Sequence, residues 1–123
     1  MKNLLLYYGS KGSFDSEHKI LTQIQIDNSL ALGWKAEDIV LVTNFDWEYR
    51  GVRANVLEGD FSALDGDRSS KIPMILKMFD LGMVGGDLYW FHDHDAFQLE
   101  EMRTPDLEGK PAGFTTAGWE KTW

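Results

Sequence analysis

Three apolar runs punctuate the chain, and each stops abruptly at polar residues. Leu4-Leu5-Leu6-Tyr7-Tyr8 stops at Gly9-Ser10, Ile39-Val40-Leu41-Val42 at Thr43-Asn44, and Leu88-Tyr89-Trp90-Phe91 at His92-Asp93-His94-Asp95. Short apolar runs closed in this way are the pattern of strands buried on both faces. Between the first two runs, Ile20, Leu21, Ile24, Leu30 and Leu32 recur at helical spacing and predict a helix over 17–32 with those residues inward. Asp15 or Ser16 suits its N-cap and Gly33 its C-terminal end. The Gly- and Ser-rich stretch 9–17 reads as a loop.

A second helix is predicted over 71–82, capped by Asp67, Ser69 or Ser70 and stopped by Gly82. Met74, Ile75, Met78, Phe79 and Leu81 form its expected buried face, and Pro73 is tolerable only within the first turn. The stretch 46–70 has no helical period. Within it 54–58 suggests a short strand, and Gly59-Asp60 and Asp65-Gly66 mark turns. Residues 102–110 read as a loop and 111–119 as a final strand or turn. Strand, helix, strand, irregular segment, helix, strand is the order of a single α/β domain with a mainly parallel sheet and flanking helices. Ligands of such sheets sit outside the carboxyl ends of the strands, so Gly9-Ser10, residues 43–46 and residues 92–95 are expected to converge on one crevice.

Composition narrows the function classes. With 123 residues, 43% hydrophobic and 26% charged, the chain suits one ordinary globular domain. A formal net charge of −8 argues against a nucleic-acid binder. It does not exclude a nucleotide, because a divalent cation can bring phosphate to an acidic site. The absence of cysteine excludes a disulfide scaffold, a thiolate metal site and a cysteine nucleophile, and is compatible with a reducing cytosol. The N-terminal apolar run is too short for a secretory signal, and no stretch reaches the length of a membrane span. A soluble, cytoplasmic protein is the expectation.

The strongest chemical signal is Asp93-His94-Asp95. On extended backbone, residues i and i+2 share a face about 7 Å apart. Asp93 and Asp95 are then expected on one side, with His92 and His94 turned away into packing or hydrogen bonds. Two carboxylates form a hard-oxygen site suited to Mg²⁺ or Mn²⁺, with waters and a ligand's phosphates completing the shell. The plain alternative is a solvated strand end. The apolar strand feeding the motif, after two earlier strand–helix units, favours a site.

Other features are weaker. Asp65 and Asp67 fail as a calcium loop, because Ser70 stands where glycine and Leu76 where a bidentate glutamate is needed. Lys71, at a helix start, faces either an anion or solvent. The loop 9–13 matches neither phosphate-loop nor dinucleotide fingerprints, yet it follows a strand as such loops do. His18 reads as a surface residue. Trp34, Trp47, Trp119 and Trp123 lie near loops, where one could stack on a base or sugar. No serine-nucleophile elbow is present.

Taken together, these residues resemble the nucleotide-sugar glycosyltransferases of the GT-A fold. "LYWFHDHDAFQLEE" is similar to the family's apolar strand ending in D-x-D, preceded by an apolar helix here written "SSKIPMILKMFDLG". "LLLYYGS" and "IVLVTNFD" look like the first two strands of the nucleotide-binding half. The resemblance implies a Rossmann-like sheet and a nucleoside diphosphate sugar donor. It also implies Mn²⁺ or Mg²⁺ held directly by Asp95, with Asp93 at the metal or the ribose. Tyr8, Gly9 and Ser10 would line the nucleoside pocket, Asn44 and Asp46 would reach base or ribose, and Lys71 the diphosphate or sugar. Family members place the acceptor half after the D-x-D, whereas about 28 residues follow Asp95 here. A further chain or a missing C-terminal half is therefore expected to supply the unknown acceptor's site. A haloacid-dehalogenase-like phosphohydrolase ranks lower, since its D-x-D follows the first strand. A non-catalytic nucleotide- or metal-binding module is the remaining alternative.

Overall fold

The structure, a computed structural model, describes residues 1–62, 70–101 and 104–113. In chain order the elements are β1 (Lys2–Leu6), α1 (Ser16–Ala31), a 3-10 turn (Ala36–Asp38), β2 (Ile39–Thr43), β3 (Glu48–Tyr49), β4 (Val52–Arg53), β5 (Asn55–Val56), α2 (Lys71–Asp80) and β6 (Tyr89–Phe91). β5, β2, β1 and β6 lie side by side in that order, every neighbour parallel. The chain therefore builds outward from β1 to β2 and β5, then returns to place β6 on the other side of β1. Asp65, Asp67, Ser69, Trp119 and Trp123, and most of the expected final strand, lie outside the described residues.

The apolar runs are continuous because the sheet is covered on both faces. Leu4, Leu6 and Val42 pack with Met74 and Met78 of α2, together with Leu57 and Phe61. Leu5, Ile39 and Leu41 point the other way and pack with Ile26 of α1, joined by Val52 and Ala54. Alternate residues of one strand thus serve opposite layers. Trp34 and Trp47 pack against this second cluster. Pro73 is the third residue of α2, within the first turn, where its missing N–H costs no intrahelical bond.

Three expectations need correction. α1 does not bury Ile20 or Ile24, which are 56% and 43% exposed. Its buried positions are Thr22, Gln25, Ile26 and Ser29, a mainly polar stripe at the same helical spacing. The physical reason is what the stripe faces. Gln25 Nε2 donates to the carbonyls of His94 (2.7 Å) and Ala96 (2.8 Å), and Asn28 Nδ2 to that of Gln98 (2.9 Å). Ser29 Oγ accepts from Asn3 Nδ2 at 3.0 Å. The stripe must be polar because it satisfies buried backbone and side-chain groups. On α2, Phe79 and Leu81 are exposed, so the helix buries Met74 and Met78 with Ile75 partly covered.

The third correction is a hairpin in the segment read as loop. β3 and β4 pair antiparallel across Arg50 (φ 50°) and Gly51 (φ 82°). Positive φ at both central residues is the two-residue turn whose twist suits a hairpin. Arg50 is an unusual occupant. Its guanidinium donates to Asp27 of α1 at 2.8 Å, and Tyr49 Oη donates to the same carboxylate at 3.1 Å. These contacts fasten the hairpin to the helix.

Candidate functional site at the carboxyl ends of the parallel strands

The order β5-β2-β1-β6 has its reversal between β1 and β6. Successive crossovers leave in opposite directions there, so the carboxyl ends of these two strands flank the place where ligands usually sit in such sheets.

At the β1 side, Tyr8 is buried and its Oη donates to Asp60 Oδ1 at 3.1 Å. Asp60 also accepts from Ser62 Oγ (2.6 Å) and Ser62 N–H (3.0 Å). These donors, the Ser62 hydroxyl foremost, hold its carboxyl below the usual range. Next along, Gly9 and Asn44 form a reciprocal pair. Gly9 N–H donates to Asn44 Oδ1 at 2.8 Å, and Asn44 Nδ2 donates to the Gly9 carbonyl at 2.7 Å. A Cβ at Gly9 would stand 2.3 Å from the Ser13 carbonyl oxygen, so only glycine lets the loop close this tightly. Asn44 thereby ties the end of β2 to the loop after β1. Ser10 is exposed on that loop.

At the β6 side, alternation divides the motif between the layers. Tyr89 packs toward α2, the Phe91 ring lies 5.6 Å from Lys71 Nζ, and Asp93 is ion-paired to Lys71. Trp90 stacks on Trp34 of the opposite layer, and His92 stacks on Trp90 with centroids 4.2 Å apart. His92 Nε2 also meets Asn3 Oδ1 at 2.9 Å. His92 and His94 are buried, whereas Asp93 and Asp95 are exposed. The expected division of carboxylates from imidazoles is present.

The expected reason for it holds only as far as His94. β6 ends at Phe91, and the Ala96 N–H donates to the Asp93 carbonyl at 3.1 Å, closing a turn over Asp93–Ala96. Asp95 reaches solvent from that turn, not from an extended strand. Gln25 causes the bend by drawing the carbonyls of His94 and Ala96 onto α1.

Lys71 is the first residue of α2, where the helix dipole disfavours a cation, and Asp93 offsets it. The hydrogen bond from Lys71 lowers the pKa of Asp93. Asp95 has no hydrogen-bond or ion-pair partner among the described residues. Asp46 is drawn away from this set, forked by Arg53 of β4 at 3.1 and 3.0 Å. Sequence position thus brought Tyr8, Gly9 and Asn44 together, and separately Lys71 and Asp93, but not Asp46.

No group of three or more His, Cys, Asp or Glu able to hold a metal occurs among the described residues. What the strand ends offer a divalent cation is one free carboxylate, Asp95, and one already neutralised by an ammonium. Two hard oxygen donors suit Mg²⁺ or Mn²⁺ only with waters and phosphates supplying the rest.

Sequence reasoning missed a second polar cluster on the α1 side. Asp15 caps α1, its Oδ1 accepting the His18 N–H at 2.7 Å, and His18 Nδ1 returns to Asp15 Oδ2 at 2.8 Å. The backbone bond from His18 is the main cause of the lowered Asp15 pKa. Tyr7 Oη accepts from the Asp15 N–H at 3.2 Å. The His94 ring sits 6.0 Å from that of His18 and 6.1 Å from that of Tyr7. Burial pushes the His94 imidazole down to about 4, and its Nε2 is buried with no hydrogen-bond partner among the described residues. Asp15 three residues before His18 is a helix-cap spacing, the one signal that could have placed His18 at the site. Asp60 gave no signal beyond a turn.

Among the described residues no helix is long and apolar enough to cross a membrane. No protein-family model, no curated protein and no solved structure matches the chain.

Proposed function

We propose that this chain is the donor-binding portion of a metal-dependent glycosyltransferase, holding a nucleoside diphosphate sugar at the carboxyl ends of β1 and β6. The observation that carries the reading is the Lys71–Asp93 ion pair just past the end of β6, beside β1 where the strand order reverses, with Asp95 exposed on the turn that follows. An ammonium and two carboxylates beside a strand reversal suit a metal-chelated diphosphate. Asp95 binds the metal and Asp93 the metal or the ribose. Tyr8, Gly9 and Ser10 border the nucleoside, with Asn44 fixing the Gly9 loop and Asp46 a more distant base or ribose contact. Lys71 meets the diphosphate. Held there, Mn²⁺ or Mg²⁺ would supply charge neutralisation for a departing diphosphate.

Calorimetric titration with UDP- and GDP-sugars, with and without Mn²⁺, tests this. Metal-dependent binding is expected, and Asp95→Ala is expected to abolish it. If neither nucleotide nor metal binds or raises the thermal midpoint, the reading fails.

A second reading, a nucleotide-binding module without transfer activity, is favoured by one observation. Tyr8, Asn44, Asp46 and Lys71 are each already paired within the chain. Donor binding with no turnover across a panel of acceptors would select it, and phosphatase activity lost in Asp93→Asn would select a phosphohydrolase instead.

A further inference from the structure

α2 carries apolar side chains on two faces. Met74 and Met78 are buried against the sheet, with Ile75 partly covered beside them. Ile72, Leu76 and Phe79 instead stand 65%, 60% and 63% exposed. Their spacing of four and then three residues sets them in one stripe along the helix. Apolar residues exposed singly need no explanation, but a stripe of them marks an interaction surface. The polar residues beside the stripe bear on what it fits. Lys77 and Asp80 lie on the same flank of it, both exposed and neither in an ion pair among the described residues.

We infer that this stripe is an interface between two copies of the chain, packed as an antiparallel pair of α2 helices about a twofold axis. With the axis midway between Lys77 and Met78, Leu76 of each copy lies level with Phe79 of the other. The two Ile72 side chains extend the apolar seam at its ends. Lys77 of each copy then falls within about 3 Å, measured along the helix, of Asp80 of the other copy, since each residue advances about 1.5 Å. These two residues are opposite in sign and exchange places under the twofold, so the charged flank of the stripe complements itself. Antiparallel helices also set their macrodipoles in opposition. Two such stripes with their flanks bury on the order of 1,000 Å², the lower limit of a specific interface, so the dimer is reversible, not obligate. A lipid surface fits less well, because Asp80 borders the stripe on a chain of net charge −8.

Sedimentation velocity of the full chain, from about 5 to about 500 μM, tests this. A monomer–dimer equilibrium with a Kd on the order of tens of micromolar is expected. Leu76→Glu is expected to leave the chain monomeric throughout, with its far-ultraviolet circular dichroism unchanged. Lys77→Asp and Asp80→Lys are each expected to weaken dimerisation about threefold or more, and the double exchange to restore it. Asp80→Lys lowers the net repulsion between copies, so weakening by that variant separates the local pair from overall charge. A wild type that stays monomeric over the whole range overturns the inference, as does a dimer indifferent to Leu76→Glu. Dimerisation that Lys77→Asp leaves unchanged, or that Asp80→Lys tightens, overturns the antiparallel pairing. A monomeric wild type that co-sediments with phosphatidylcholine vesicles, and loses this in Leu76→Glu, assigns the stripe to a lipid surface instead.

Discussion

Single residues at this site are defined by which way they face, and His94 shows the consequence. Its neighbours Asp93 and Asp95 reach solvent while its own ring is enclosed beside Tyr7 and His18. Burial disfavours the imidazolium, lowering the folded-state pKa to about 4 from an ordinary 6.5. In the unfolded chain the same imidazole takes up a proton near pH 6.5, so below that pH the unfolded state binds more protons. Stability from this residue is complete above about pH 6.5 and is lost progressively as the pH falls toward 4, up to roughly 3 kcal/mol. His92, also lowered by burial, adds in the same direction. The lowered carboxylates Asp15, Asp60 and Asp93 act in a more acidic window, below about 3.8. Chemical denaturation at a series of pH values is expected to show a steep slope between pH 6.5 and 4 that flattens in His94→Leu. An unchanged slope would mean that His94 protonates freely in the folded protein. Alternation along the apolar run made the inward direction of His92 and His94 legible. The turn that carries Asp95 was not legible, because its cause is Gln25, 69 positions away in sequence.

At the scale of elements, the strands were readable and the helix faces less so. Both covered faces of the sheet impose continuous apolar runs, and β1, β2 and β6 each overlap one of the three runs, β1 starting two residues earlier at Lys2. β5 falls within the predicted 54–58, shortened to two residues because it pairs only with the end of β2. α1 was placed almost to the residue by its cap, yet its inward face was misread. Periodicity of apolar residues assumes an apolar partner, and α1 packs in part on the backbone of residues 94–98. The hairpin was missed because Arg50-Gly51 is not a usual turn pair and because Asp27, which holds it, is distant in sequence. Two substitutions separate the predicted face of α1 from the observed one. Gln25→Met keeps the volume but leaves two carbonyls without their donor, and is expected to cost about 2 kcal/mol. It should also speed amide exchange in residues 94–98. Ile24→Gln, one position away on the exposed side, is expected to stay within about 0.5 kcal/mol. Urea unfolding of both variants checks this. A larger loss for Ile24→Gln would restore the apolar face that periodicity alone suggests.

For the whole molecule, the sheet order fixes both where stability concentrates and where a ligand can act. β1 and β2 have neighbours on both sides, whereas β6 is, among the described residues, an edge strand with three registered pairs to β1. Local opening follows the number of bonds and contacts that must break, so amides of Leu5, Leu6, Leu41 and Val42 are expected to exchange slowest and those of Tyr89–Phe91 much earlier. The Asp93–Lys71 pair and the turn after β6 are therefore carried on one of the looser parts of the sheet, with Gly9 and Asn44 on the tighter part. A ligand bridging the two would tie edge to centre. Hydrogen exchange with Mn²⁺ and UDP present is expected to slow amides in residues 89–96 and 7–9, leaving the hairpin 48–53 unchanged. A competing location exists: a cavity of about 440 Å³ bordered by Ile39, Val40, Gly51, Arg53 and Met78, toward the amino ends of the strands. Among the described residues its charged lining is Glu37 and Arg53, without an ammonium–carboxylate pair of the kind at β6. Protection that appears at 39–40 and 51–53 instead of 89–96 would move the ligand to that cavity and remove the strand reversal as the binding place.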